Sequence, residues 1–319
     1  MGHERTPPRS LRVRVSQALE RALVSLLGLS VGDAFGERFF MPHGALHTAI
    51  DERAVPASPW RYTDDTQMAL SLVEVLREHG TIDQDALAKS FVQRFDPMRG
   101  YGPGAQRLLE RLKVGERWRD VSRALFRGVG SFGNGAAMRV APLGAFFCDD
   151  AARCRAEAER SAEITHAHPE GIAGTVAIAA AASFACQTRE QPFDPAAFMA
   201  HVLSVTPGTY VREGIEEARQ TLGERSVALA AQRLGNGSGI TAGDTVPLCC
   251  WLVCRHPDDY EEALWETVSA LGDRDTTCAI VGGIVACRVG IEGIPASMRA
   301  AREPLPPGFE APVAESAKA

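Results

Sequence analysis

Aromatic residues are scarce, at 7%, and stretches in which apolar and polar residues alternate are nearly absent, so a sheet-built core is not expected. An excess of positive charge is also missing. The formal net charge is -6, which provides no basic field to gather phosphate backbones and argues against a nucleic-acid partner. The longest apolar run, Gly171 to Cys186, falls short of the roughly 20 residues that a membrane span requires, and it is Ala-rich. It reads as a buried helix, and no membrane partner is expected. None of the eight cysteines stands in a C-x-x-C pair. Cys148, Cys154, Cys186, Cys249, Cys250, Cys254, Cys278 and Cys287 lie mostly in apolar runs and read as reduced core residues. The Cys249-Cys250-x-x-x-Cys254 cluster with His256 fits no structural zinc spacing. With no signal-peptide pattern at the basic N-terminus either, the cytoplasm is the expected compartment.

Against these gaps stands a helical pattern. Apolar residues recur at i, i+3, i+4 and i+7 along most of the chain, between loops of Gly and Pro. The spacing predicts helices over residues 64–79, 85–95, 104–112, 150–163, 169–187, 195–205, 210–218, 245–254, 258–271 and 277–290. No stretch before about Pro295 has the composition of a linker, so one domain is expected over residues 16–300. Residues 1–15 read as a flexible tail entering the first helix. Residues 301–319, rich in Pro and Ala, read as a tail without fixed structure.

Two acidic clusters open helices. Thr63-Asp64-Asp65-Thr66-Gln67 places adjacent carboxylates on one first turn, and Asp273-Arg274-Asp275-Thr276 does the same ahead of an apolar helix. Each has a plain explanation as a cap, with Asp64 or Asp275 as N-cap and acids favoured by the helix dipole. Together they offer enough hard oxygens for one or two magnesium or manganese ions. Between them, Gly128 to Arg139 includes a Gly-rich loop, Gly130-Ser131-Phe132-Gly133-Asn134-Gly135, which is either a turn or an anion-binding nest. No Lys-Ser/Thr follows, so it is not a P-loop. In Thr165-His166-Ala167-His168-Pro169, the two histidines of an extended loop point opposite ways, so at most one reaches a shared site.

Taken in order, Gly32-Asp33-Ala34-Phe35-Gly36, Tyr62 to Thr66, Gly133 to Arg139, Thr165-His166 and Gly272 to Thr276 resemble the ADP-ribosylglycohydrolase family, across about residues 20 to 295. The resemblance implies an all-α, single-domain orthogonal multi-helix bundle with two Mg2+ or Mn2+ at the base of an ADP-ribose cleft. It implies Thr63, Asp64, Asp65, Asp273, Asp275 and Thr276 as metal ligands. Ser131, Gly133, Asn134 and Gly135 would contact the diphosphate and ribose, with His166 near the ribose. Asp64, Asp65 and Asp275 are the candidate catalytic residues for hydrolysis at the anomeric carbon. The substrate would be an ADP-ribosylated protein or small ADP-ribosyl compound, and oligomeric state stays open. One departure stands out. Many members carry Glu seven residues after the Asp of the first motif, where this sequence has Phe40; Glu37 is the candidate replacement. A non-catalytic ADP-ribose-binding or structural relative and a metal-dependent phosphohydrolase are the alternative readings.

Overall fold

The computed structural model describes residues 9–311, with side chains from Ser16 onward. The described residues form sixteen α-helices and no strand, only two isolated bridges. In chain order they are α1 (Arg9–Glu37), α2 (His43–Asp51), α3 (Asp64–His79), α4 (Gln84–Arg94), α5 (Pro103–Lys113), α6 (Trp118–Gly128), α7 (Ala141–Phe146) and α8 (Ala151–Glu163). They continue with α9 (Pro169–Gln187), α10 (Pro195–Val205), α11 (Tyr210–Gln220), α12 (Val227–Leu234), α13 (Ala242–Arg255), α14 (Tyr260–Ser269), α15 (Arg274–Val289) and α16 (Ala296–Ala301). Helix starts follow local chemistry: Asp83, Asp150, Asp194, Ser226, Thr241 and Asp259 each accept a hydrogen bond from a first-turn amide. Gly80, in the left-handed region at φ 65°, stops α3 where the sequence predicts.

The antiparallel pair α1 and α15 forms the axis of the bundle. Glycines at a spacing of four let it close. A Cβ on Gly28 would lie 2.4 Å from the Gly282 carbonyl oxygen, one on Gly32 would lie 2.1 Å from that of Cys278, and one on Gly36 would lie 2.2 Å from that of Arg274. Each four-residue step along α1 thus matches a four-residue step back along α15. The backbones are in direct contact, and Ser25 Oγ donates across the seam to the Gly283 carbonyl at 2.8 Å. The consequence for chemistry is positional, because Asp33 on α1 is brought to the N-terminal end of α15.

The apolar run read as a buried helix is α9, which packs against α7, α8, α10, α11, α13 and α15 and is buried on every side. Its alanines allow α7 to approach until a Cβ on Gly144 would sit 2.2 Å from the Ala179 carbonyl oxygen. The cysteines at 249 and 250 lie in the core, and Cys254 is half-buried at its edge.

Both ends differ from the sequence reading. Helix α1 begins at Arg9, inside the stretch read as a flexible tail; residues 1–8 lie outside the described residues. Residues 301–311 are packed, not loose. Leu305, Phe309 and Ala311 are buried, Arg302 pairs with Glu310, and the Phe309 ring lies under the guanidinium groups of Arg77 and Arg94. Pro-rich composition concealed this because the order comes from contacts distant in sequence. Residues 312–319 lie outside the described residues.

Candidate active site

The three helix ends of α1, α3 and α15 meet at a buried acidic group. One carboxylate oxygen from each of Asp33, Asp65 and Asp275 lies within 4.8 Å of the others. Asp33 is the best supplied with donors: its Oδ2 accepts from the Thr63 amide at 2.9 Å, the Thr66 amide at 3.1 Å and the Thr66 hydroxyl at 2.5 Å. Thr63 Oγ1 lies 2.8 Å from Asp33 Oδ1 and 2.9 Å from Asp65 Oδ2, so its single proton serves one of them at a time. Asp65 Oδ1 and Asp275 Oδ1 are buried and have no hydrogen-bond partner among the described residues.

Capping does not account for these acids. The N-cap of α3 is Thr63, whose hydroxyl accepts from the Asp65 amide at 3.3 Å; neither Asp64 nor Asp65 occupies the capping position. The N-cap of α15 is Asp273, not Asp275, and its side chain accepts no first-turn amide. Asp273 Oδ2 instead accepts from Asn134 Nδ2 at 2.7 Å, which ties the Gly-rich loop to the acidic end of α15.

Crowding and burial dominate the electrostatics. Burial pushes the Asp33 carboxyl up to about 6, against hydrogen bonds from Thr66 and Thr63 that pull it down. Asp64 is pushed up to about 8 by burial and then by the charges of Asp33 and Asp273. Asp65 and Asp275 are driven well above the carboxylate range by burial and by neighbouring aspartates. An isolated group of this kind retains protons at neutral pH. The orphaned oxygens and the all-oxygen donor set fit a hard divalent cation, which would supply the charge the protein lacks there.

The Gly-rich loop adjoins the acids through the Asn134 to Asp273 hydrogen bond. It is pinned to the start of α13: the Asn134 amide donates to the Ile240 carbonyl at 3.3 Å, and the Ala242 amide donates to the Phe132 carbonyl at 3.0 Å. Ser131 Oγ accepts from the Gly133 amide at 3.2 Å, stabilising the loop from within. His166 is buried against it. A Cβ on Gly135 would lie 3.1 Å from His166 Nε2 and one on Gly133 would lie 3.3 Å away, so only glycine leaves this nitrogen clear at both positions. His168 turns the other way: its Nδ1 accepts from the Glu170 amide at 3.1 Å and caps α9.

The sequence model of the ADP-ribosylglycohydrolase family matches residues 14–315, nearly the whole chain. The chain belongs to the ADP-ribosylglycohydrolase family. Relatives of the chain are named ADP-ribosylhydrolases, which are hydrolases of glycosidic bonds. Human ADP-ribosylhydrolase ARH3 is 28% identical over 332 residues, covering 88% of this chain and 89% of that protein. ADP-ribosylarginine hydrolase Tri1 of Serratia proteamaculans is 25% identical over 306 residues, covering 91% and 76%. Among solved structures, an ADP-ribosylglycohydrolase-related protein complex superposes with a TM-score of 0.65 at 24% identity, covering 90% of this chain and 94% of that one, and supports the fold.

As a member of this family, the chain departs at Phe40, and the structure does not make Glu37 the substitute. Glu37 is exposed and lies outside the Asp33, Asp65 and Asp275 group. It stands near Arg38 and Arg274, with its carboxyl raised by partial burial. The Phe40 ring lies 4.3 Å from the Arg274 guanidinium, so this position holds a cation rather than offering an oxygen. Of the candidate ligands, Asp65 and Asp275 join the tight group; Asp64 and Asp273 flank it, and Thr63 and Thr276 are buried at its two helix starts.

The sequence reading left Asp33 without a role, although its motif was seen. A signal was present: Asp33 is the one charged residue between Arg21 and Glu37. A second element not foreseen is the loop Asp96 to Gly102, held by Gln67, whose Oε1 accepts from the Asp96 amide at 3.1 Å and from the Tyr101 hydroxyl at 2.7 Å. It sets Gly100, at φ 87°, over Asp64, where a Cβ would lie 3.8 Å from Asp64 Oδ1.

Proposed function

We propose that the protein hydrolyses the glycosidic bond joining ADP-ribose to a modified protein side chain or small acceptor, in a divalent-cation-dependent reaction in the cytoplasm. The single observation that carries this reading is the pair of buried oxygens on Asp65 and Asp275 without a partner among the described residues, at a helix start that the Gly-rich loop joins through the Asn134 to Asp273 hydrogen bond. Asp33, Asp65 and Asp275 would hold the cation, with Thr63, Asp64, Asp273 and Thr276 completing a site for two Mg2+ or Mn2+. When bound, such ions supply Lewis acidity beside the ribose.

The chain's own groups divide the remaining work. Ser131, Gly133, Asn134 and Gly135 bind the diphosphate and ribose, which fixes the anomeric carbon over the acids. With the cluster's charge neutralised, Asp64 is a carboxylate and accepts the proton of the attacking water. The bond from the anomeric carbon to the acceptor breaks as the bond to water oxygen forms; the acceptor leaves with the bonding electron pair and takes up the proton that Asp64 removed from the water, while the surrounding carboxylates stabilise the positive charge that develops on the sugar.

The test is incubation with arginine-linked, serine-linked and small-molecule ADP-ribose in the presence of magnesium or manganese. Free ADP-ribose is the expected product. AMP would point to phosphohydrolase chemistry at the same metals, and calorimetric binding without turnover would point to a non-catalytic relative.

A further inference from the structure

Arg139 is fully buried, yet no carboxylate among the described residues pairs with it. Its Nη2 donates to the Ser161 carbonyl and to Thr165 Oγ1, both at 2.9 Å, and its guanidinium lies 4.6 Å from the Phe91 ring. A bare cation in such a place costs stability unless its hydrogen bonds do something specific. The next contact in the chain shows what they do. Thr165 Oγ1 lies 2.7 Å from His166 Nδ1. Arginine only donates, so Thr165 Oγ1 accepts from it. The threonine hydroxyl has one proton, and His166 Nδ1 is its remaining partner among the described residues. Were Nδ1 protonated instead, the threonine proton would be buried with no acceptor. The direction of the chain is therefore set from Arg139 to Thr165 to Nδ1.

We infer that Arg139 and Thr165 act as positioning residues that hold the His166 ring with its single proton on Nε2, as a hydrogen-bond donor to an oxygen of the substrate. Nε2 is the ring nitrogen next to Gly133 and Gly135, where the loop would receive the ribose and diphosphate. The donor role rests on the proposed ADP-ribose reading; the placement of the proton does not. The same arrangement keeps a second proton off the ring, because burial and the adjacent Arg139 charge lower the His166 imidazole to about 3. His166 is thus a fixed donor in this scheme, not an acid-base group.

The experiment is a long-range proton-nitrogen spectrum of the substrate-free full-length protein with 15N-labelled histidine, His166 being assigned by comparison with His166→Gln. The expected pattern at pH 7 is a protonated Nε2 and a bare Nδ1. A proton on Nδ1, or a doubly protonated ring, overturns the inference. Thr165→Val keeps the side-chain shape and removes the hydroxyl: the ring proton is expected to redistribute between the nitrogens, and kcat/KM on whichever ADP-ribosyl substrate is cleaved should fall by about tenfold, below the ~10²–10³ for losing a transition-state donor outright. Thr165→Ser should restore both. An unchanged spectrum in Thr165→Val overturns the inference as well. Failure of every ADP-ribosyl substrate to turn over would remove the functional reading and leave the spectrum to decide the proton's position.

Discussion

The two sides of the candidate site, its two walls, are built on opposite principles. On the wall made by α1, α3 and α15, acids are packed together with too few donors, and two buried carboxylate oxygens have no partner. On the wall made by the Gly-rich loop and the start of α9, the hydrogen bonds of Arg139 Nη2, Thr165 and His168 run in one order, and of the buried side-chain atoms of these residues only Arg139 Nε is left without a partner among the described residues. The first wall is costly to fold as it stands, and a cation would offset that cost. The second is organised by the fold alone. Such a division suits a hydrolase in which one wall waits for a cation and the other waits for the substrate's phosphates and sugar.

Substituting an acid of the first wall breaks the comparison most severely. Asp65→Asn removes a charge from the cation group and introduces an amide donor beside the orphaned Asp275 oxygen. Turnover is expected to fall by about 10³ or more, in line with loss of a major electrostatic contributor. The melting temperature without metal is expected to rise, because the fold no longer has to hold a proton on a carboxyl that burial and neighbouring aspartates push well above its ordinary range. Product release and thermal denaturation of the same preparation measure both, and a variant that is active or less stable would show that the wall is not frustrated.

The next largest effect concerns pH and metal together. In the unfolded chain these carboxylates lose protons near 3.8, whereas in the fold Asp33 holds its proton to about 6 and Asp64 to about 8. The folded state therefore binds more protons across this window, so these groups cost stability progressively as pH rises from about 4 to 8. Metal should reverse that trend. At a hundredfold excess over Kd a ligand adds about 2.7 kcal/mol, and proton competition weakens binding at low pH. The rise in melting temperature on adding magnesium or manganese should be larger at pH 8 than at pH 5. An equal rise at both would contradict the assignment.

What the sequence revealed follows the same division. Asp64, Asp65 and Asp275 were legible because adjacent acids at a helix start stand out in a short window. Asp33 was not assigned, because a single acid in a small-residue helix acquires meaning only when Gly28, Gly32 and Gly36 bring α15 against it. The long amphipathic helices were legible from their period. Helix α7 was not, since all six of its residues are buried and no polar face marks it. The Arg139 to His166 chain was also hidden, because its members are 26 and 27 positions apart and only the fold gives their hydrogen bonds a direction.

The glycine seam provides a purely structural way to sharpen the contrast. Gly32→Ala places a methyl group 2.1 Å from the Cys278 carbonyl oxygen, which the helices can relieve only by moving apart. Overpacking of this kind costs about 1–3 kcal/mol. The separation would also widen the Asp33 to Asp275 distance, so metal affinity should fall while the His166 spectrum stays unchanged. Loss of both signals together would mean that the two walls are not independent.

The smallest effect is expected at Glu37. Glu37 is an exposed residue with a partly buried carboxyl at the end of α1 near Arg38 and Arg274, and Arg274 already has the Phe40 ring against its guanidinium. Exposed charges in such surroundings contribute about 0–1 kcal/mol. Glu37→Ala should therefore bind the same number of metal ions as the parent protein and retain activity to within about twofold, consistent with an effect below 0.5 kcal/mol. Metal stoichiometry of the purified variant is the decisive measurement. If one ion is lost, Glu37 swings into the acidic wall when metal binds, and that wall gathers a ligand from solvent instead of being complete within the fold.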